Sequence, residues 1–235
     1  DVTNKEHLND AYNEIATHLG DNGLYAIINN AGITYTSPTE YANEEKARYV
    51  MEVNVWAPFR ITQKFIPLLK KHNSNNAVKS RVINITSWAG ILSQPFNSAY
   101  NMSKFGIVGL TEAMYYDLGL LGIYAVDASP GVTKTPLLKK TTDSSAVYND
   151  LPEEGKQFYK KHIDYMDEMS SSSENNSLLL TPDKTANKLF QIVETRKPRF
   201  KYNMAIDAKL MGGFIRRHLP FKWRAAIMKK MYNLK

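Results

Sequence analysis

Three short apolar runs constrain this chain more than any other feature: LYAIINN at 24–30, RVINIT at 81–86 and IYAVDA at 123–128. Each is apolar on successive residues instead of every second one. Strands of that kind need cover on both faces, which a parallel sheet between helix layers provides. Long stretches with helical spacing separate them, so the order reads as strand, helix, strand, helix. The expected fold is α/β, a doubly wound parallel sheet. In such sheets ligand sites lie beyond the C-terminal ends of the strands.

The helices follow from caps and stripes. Thr3 and Glu6 have capping-box spacing, Leu8, Tyr12, Ile15 and Leu19 make the stripe, and Gly20 stops the helix. Two helices are expected at about Asn43–Trp56 and Phe59–His72, with Pro58 at their junction. A long helix is expected at about Ser98–Leu121, on which Tyr115 and Tyr116 read as core and interface residues. After Thr135 the pattern loosens into polar stretches, among them Ser170–Ser177. Thr181-Pro182-Asp183 then opens a helix carrying Ala186, Leu189, Ile192 and Val193. RFKYNMAI reads as a last strand, and two helical pieces divided near Pro220 end the chain.

With 235 residues, no internal repeat and no linker, one domain is expected. There is no cysteine, which rules out disulfides and thiolate chemistry. The five histidines have no metal-ligand spacing, so no metal site is expected. No apolar run is long enough to span a bilayer.

Polar or small residues follow each of the three strands: Asn29-Asn30-Ala31-Gly32, Ser87, and Pro130-Gly131. On the long helix Tyr100 and Lys104 are one turn apart and share a face. A phenol beside an ammonium is a candidate acid–base group, because the positive charge favours the phenolate. Such a pair also arises by chance in a chain with 14 tyrosines.

Taken in order, NNAG at 29–32, Asn54 in MEVNVWAPF, Ser87 in INITS, Tyr100-x-x-x-Lys104 thirteen residues later, and PGVTKT at 130–135 resemble the short-chain dehydrogenase/reductase family. The tail PRFKYNMAIDAKLMGGFIRRHLP is similar to its retinol and hydroxysteroid dehydrogenase subgroup. The resemblance implies a Rossmann-type fold and an NAD- or NADP-dependent oxidoreductase interconverting a hydroxyl and a carbonyl group. It implies Tyr100 as acid or base, Ser87 as holder of the substrate oxygen, and Lys104 as support for the phenolate and ligand of ribose hydroxyls. Asn54 would hold a water of the proton relay. Asp1, Asn29, Asn30, Ala31, Gly32, Pro130, Gly131, Thr133 and Thr135 would contact the cofactor, Asp1 on the adenine side. A lipophilic alcohol or ketone, steroid- or retinoid-like, is the expected substrate, under a lid at about 137–180, in lipid metabolism. A homodimer or tetramer is expected, since relatives pair through the catalytic helix.

The sequence departs from the family at its start, where the glycine-rich turn of the first strand–helix unit is not present. The expectation is a domain over 1–235 that is incomplete at its N-terminus, with LYAIINN as an exposed apolar edge and weakened dinucleotide binding. A truncated or catalytically silent relative, acting in binding or subunit interaction, is the alternative.

Charge is uneven. Residues 196–235 hold twelve Lys/Arg and one acid, Asp207, for +11, while the other 195 residues sum to −4. Trp223, Ile227, Met231 and Leu234 lie at helical spacing among these cations. Peripheral contact with an anionic membrane is one expectation, packing on the chain's own body or on a subunit partner the other. A nucleic-acid partner is not expected, for want of a binding motif. The location expected is intracellular, cytoplasmic or peripheral on an organelle membrane.

Overall fold

The computed structural model describes residues 1–141, 144–174 and 179–234. Strands β1 (Ala26–Asn29), β2 (Arg81–Ile85), β3 (Tyr124–Ser129) and β4 (Lys201–Asn203) form one parallel sheet in the order β1-β2-β3-β4. Ile28 pairs with Ile83, Asn84 with Asp127, and Asp127 with Lys201. Within the described residues β1 pairs only with β2, and its Ile28 is 43% exposed.

Helices cover both faces, as a doubly wound sheet requires. Helix α1 (Lys5–Leu19) precedes β1, and α2 (Glu44–Met51), α3 (Ala57–Asn75) and α4 (Ser98–Gly119) lie between the first three strands in the chain. Ile27, Val82 and Ala125 pack with Phe65 and Leu69 of α3, Met114 and Leu118 of α4, and Leu8, Tyr12 and Ile15 of α1. Then follow α5 (Pro136–Thr141), α6 (Ser144–Asn149), α7 (Glu153–Glu174) and α8 (Pro182–Glu194). On the opposite face Ile83, Val126 and Ala128 pack with Leu189, Ile192 and Val193 of α8. After β4 come α9 (Ile206–Ala208), a π-helical stretch at Lys209–Ile215, α10 (Arg216–His218) and α11 (Phe221–Met231).

Several expectations are corrected. The first helix is capped by Asn4, not Thr3: Asn4 Oδ1 accepts from the Glu6 N–H at 2.7 Å and the His7 N–H at 3.2 Å. Thr3 is held by the Asp1 carboxylate instead. Pro58 does not divide two helices. The chain stays helical from Glu44 to Asn75 because a π-turn at Glu52–Trp56 precedes the proline and re-registers the backbone. Tyr115 and Tyr116 are exposed, not core, in contact with each other and, for Tyr115, with Phe200. The polar stretch at 170–177 is helical as far as Glu174 in α7; its remainder, like Thr142 and Asp143, lies outside the described residues. The region read as loose is thus largely helical, with Val147, Leu151 and Ile163 closing a small core against Tyr41 and Tyr159.

The C-terminal stripe splits. Ile227, Met228 and Met231 pack on Trp88, Leu92 and Met211, whereas Trp223 is exposed.

Candidate active site

A cavity of about 230 Å³ opens beyond the ends of β2 and β3. Asn30, Gly32, Ser87, Tyr100, Lys104, Pro130, Gly131, Thr133 and Thr135 all line it. The loops after three strands and one face of α4 thus converge on one space, as a parallel sheet dictates.

Ser87 caps the short 3₁₀ turn Trp88–Gly90, its Oγ accepting the Ala89 N–H at 3.1 Å. The cap takes an oxygen lone pair and leaves the hydroxyl proton to donate. Burial raises Tyr100 above the ordinary phenol value, and the neighbouring Ser87 hydroxyl lowers it by less. The lowering expected from Lys104 is not found.

Lys104 Nζ donates to the Ile85 carbonyl at 3.0 Å and lies 5.6 Å from the Tyr100 ring centroid. The ammonium is itself buried, which pushes Lys104 down to about 8, while the charge of Asp127 raises it. Burial penalises the charged form of each group, so the phenol moves up and the ammonium down.

Asn54 sits in the π-turn with its side chain buried. Its Nδ2 donates to the Ile33 carbonyl and to Ser103 Oγ, both at 2.9 Å, and its Oδ1 accepts the Ile33 N–H at 2.9 Å. It therefore clamps the loop after β1. A Cβ on Gly32 would stand 3.6 Å from Asn54 Oδ1 and 3.9 Å from Lys104 Nζ, so the glycine lies directly over both.

Three expected cofactor contacts do not line this cavity. Asn29 turns into the helix layer, where Nδ2 donates to Asn84 Oδ1 at 2.7 Å. Its neighbour Ala31 faces a separate recess, which Asn29 and Asn30 also line, with Val2 and Pro58. Asp1 is exposed at the start of α1, its carboxylate engaged by Thr3.

Leu137 and Leu138, at the start of the expected lid, line the cavity too, and other lining residues carried no sequence signal: Trp88, Gln94 and Thr185. They come from separate elements that only the fold brings together. Thr185 Oγ1 is buried with no hydrogen-bond partner. Asp207 was also missed. Its Oδ2 accepts the Val132 N–H at 2.7 Å, and a Cβ on Gly131 would come within 1.9 Å of its Oδ1. Gly131 is thus the gap through which the C-terminal segment is fastened to the site. Among the described residues no group of histidines and carboxylates could hold a metal ion.

The model of the family described as short chain dehydrogenase matches residues 1–146. The mitochondrial D-beta-hydroxybutyrate dehydrogenase of Mus musculus is 32% identical over 171 residues, covering 69% of this chain and 48% of that protein. Short-chain dehydrogenase/reductase family 9C member 7 of Homo sapiens is 27% identical over 217 residues, covering 90% of this chain and 66% of that protein. The chain thus spans about half the length of the first of these relatives and about two thirds of the second. Among solved structures, a short-chain dehydrogenase from Streptomyces avermitilis superposes with a TM-score of 0.71 at 22% identity, over 98% of this chain and 76% of that one. One from Burkholderia cenocepacia J2315, in complex with NADP, gives 0.67 at 18% identity, over 98% and 77%. These two likenesses establish the fold.

Proposed function

The chain belongs to the short-chain dehydrogenase family, and from that premise we propose that it interconverts a hydroxyl and a carbonyl group with Tyr100 as the acid–base residue. The observation that carries the proposal is the convergence of Ser87, Tyr100 and Lys104 on one cavity. A bound nicotinamide cofactor supplies the hydride donor or acceptor. The residues present fit its nicotinamide–ribose end: an ammonium, a phenol, the Thr133 and Thr135 side chains and the unpartnered Thr185 hydroxyl surround a space of about 230 Å³. That space is below the several hundred Å³ typical of whole-ligand pockets.

Ser87 donates to the substrate oxygen and holds it at the Tyr100 phenol. Tyr100 gives a proton to that oxygen or takes one from it. Burial favours the protonated phenol, the form that can donate to a carbonyl oxygen. Lys104 binds ribose hydroxyls and holds positive charge near the phenol. Asn54 acts by fixing the loop that carries Gly32.

The substrate class we propose is a lipophilic alcohol or ketone. Trp88, Val132, Leu137 and Leu138 make the walls largely apolar. Exposed Trp56, Phe59, Met102 and Phe105 on and beside α3 and α4 support a homo-oligomer built on those helices. The basic C-terminus is proposed to rest on an anionic membrane. Ile206, Phe214, Phe221 and Trp223 are all more than half exposed, beside exposed Arg216, Arg217 and Lys222. No helix among the described residues is long and apolar enough to cross a membrane.

The test follows nicotinamide absorbance with NAD and NADP against steroid, retinoid and short-chain alcohols, using the native protein and Tyr100→Phe. Loss of turnover by about 100-fold or more is expected. Turnover that survives the substitution overturns the assignment. Flotation with phosphatidylserine vesicles, before and after replacing Phe221 and Trp223 by Ser, tests the membrane contact.

A further inference from the structure

We propose that Asp127, sealed on β3 between Thr86 and Lys201, is a positioning residue that keeps the ammonium of Lys104 charged, with Lys201 as its surface-facing damper. The proposal concerns the site assigned above and rests on that reading for its catalytic consequence alone.

The sheet register sets the geometry. Val82 and Ala125 face α4, and Asn84 reaches Thr111 on that helix at 2.9 Å. Residues two apart share a face, so Thr86 and Asp127 also point toward α4. Asp127 pairs with Asn84 across one strand boundary and with Lys201 across the other. Its carboxylate is fully buried. Thr86 Oγ1 donates to Oδ1, and Lys201 Nζ donates to Oδ2 at 2.8 Å. Both oxygens are therefore held. Lys104 reaches down from α4 to the carbonyl of Ile85, the residue before Thr86.

Among the described residues, these charged and titratable groups face this point. From β2 comes the Thr86 hydroxyl, from β4 the Lys201 ammonium, and from α4 Lys104 with the Tyr100 phenol one turn away. The loop and π-turn beside Lys104 present neutral Gly32 and Asn54. The charge that opposes the burial of Lys104 is that of Asp127. Lys201 is about a third exposed, so it neutralises the carboxylate only in part and loses some of its own field to water.

The experiment labels lysine Cε with ¹³C and follows the titration of Lys104, assigned through Lys104→Arg, in the native chain, Asp127→Asn and Lys201→Gln. Asp127→Asn removes the charge and keeps one oxygen for Lys201, its Nδ2 then donating to the Thr86 hydroxyl. The charged fraction of Lys104 at pH 8 is expected to fall about threefold from about one half. Lys201→Gln is expected to move the midpoint the opposite way, because the carboxylate then acts unscreened. An unchanged Lys104 midpoint in folded Asp127→Asn overturns the proposal. Should that variant not fold, an unmoved or lowered midpoint in Lys201→Gln does the same. The readout is independent of turnover. If Tyr100→Phe leaves activity intact while Lys104 still follows Asp127, the proposed function fails and the electrostatic link stands. If activity depends on Tyr100 and its pH profile ignores Asp127, only the link falls.

Discussion

Asn54 and Ile33 are joined by two hydrogen bonds of 2.9 Å, the side-chain amide of one closing on the backbone N–H and C=O of the other. A residue in a π-turn thereby reproduces a backbone pairing with the loop after β1. The loop is otherwise pinned further along, where Ser37 bridges to Asn97, so the amide orders its first part. Asn54→Ala removes both bonds and the one to Ser103, leaving backbone groups unpaired. A loss of about 2–4 kcal/mol is expected from urea unfolding, with Asn54→Asp recovering only part, since it cannot donate to the Ile33 carbonyl.

The burial of Lys104 makes stability depend on pH. Its folded value, pushed down to about 8, lies below that of a free lysine. Between about pH 8 and 10.4 the unfolded chain therefore binds the extra proton, and stability rises with pH across that window. Below pH 8 the buried charge is a standing cost. Replacing it by Lys104→Met should stabilise the chain most at pH 7, on the order of 2–3 kcal/mol, and by a vanishing amount near pH 10.5. Urea midpoints at both pH values check the sign.

Gly131 has no room for a side chain. The missing Cβ would meet Asp207 Oδ1 at 1.9 Å and the Ala205 Cβ at 2.6 Å. Gly131→Ala must push α9 from the loop and break the Asp207–Val132 bond. A cost of about 2–4 kcal/mol is expected. Asp207→Asn keeps an acceptor for Val132 and should cost less than half of that, by thermal unfolding of the two variants side by side.

Arg81 is fully buried and serves backbone oxygens. Its guanidinium donates to the carbonyls of Val193 at 2.7 Å, Thr195 at 2.6 Å and Lys79 at 2.8 Å, and stacks 4.6 Å from the Tyr25 ring centroid. It thus caps α8 from beneath the sheet. Arg81→Met should cost about 3–5 kcal/mol. Arg81→Lys should not restore it, because one ammonium cannot reach three separated carbonyls in a plane. Hydrogen exchange of the last turn of α8 checks the cap directly.

Much of the site was legible because it depends on local spacing. Tyr100 and Lys104 share a face on any helix, and Ser87 and Pro130-Gly131 follow apolar runs that become strands. Asn30 and Gly32 were placed by the same logic. Asn29 was not, since a residue at a strand end can turn toward the cavity or the helix layer, and Asn84 and Thr62 take it inward. Thr3 and Asn4 compete for the same cap with similar chemistry, and only the entry of the chain chooses between them.

The apolar runs, the helical periods and the Tyr–Lys spacing determined by themselves that this chain makes a covered parallel sheet with a phenol and an ammonium near its strand ends. Such features arise from the backbone period and from the drive to bury apolar surface. The tertiary structure alone decided that Asp127 meets Lys201 across 74 residues, that Asp207 passes through the gap at Gly131, and that Lys104 points to the Ile85 carbonyl. Charge and hydrogen-bond partners separated so far in the chain are joined by packing, and packing is set by all the elements at once.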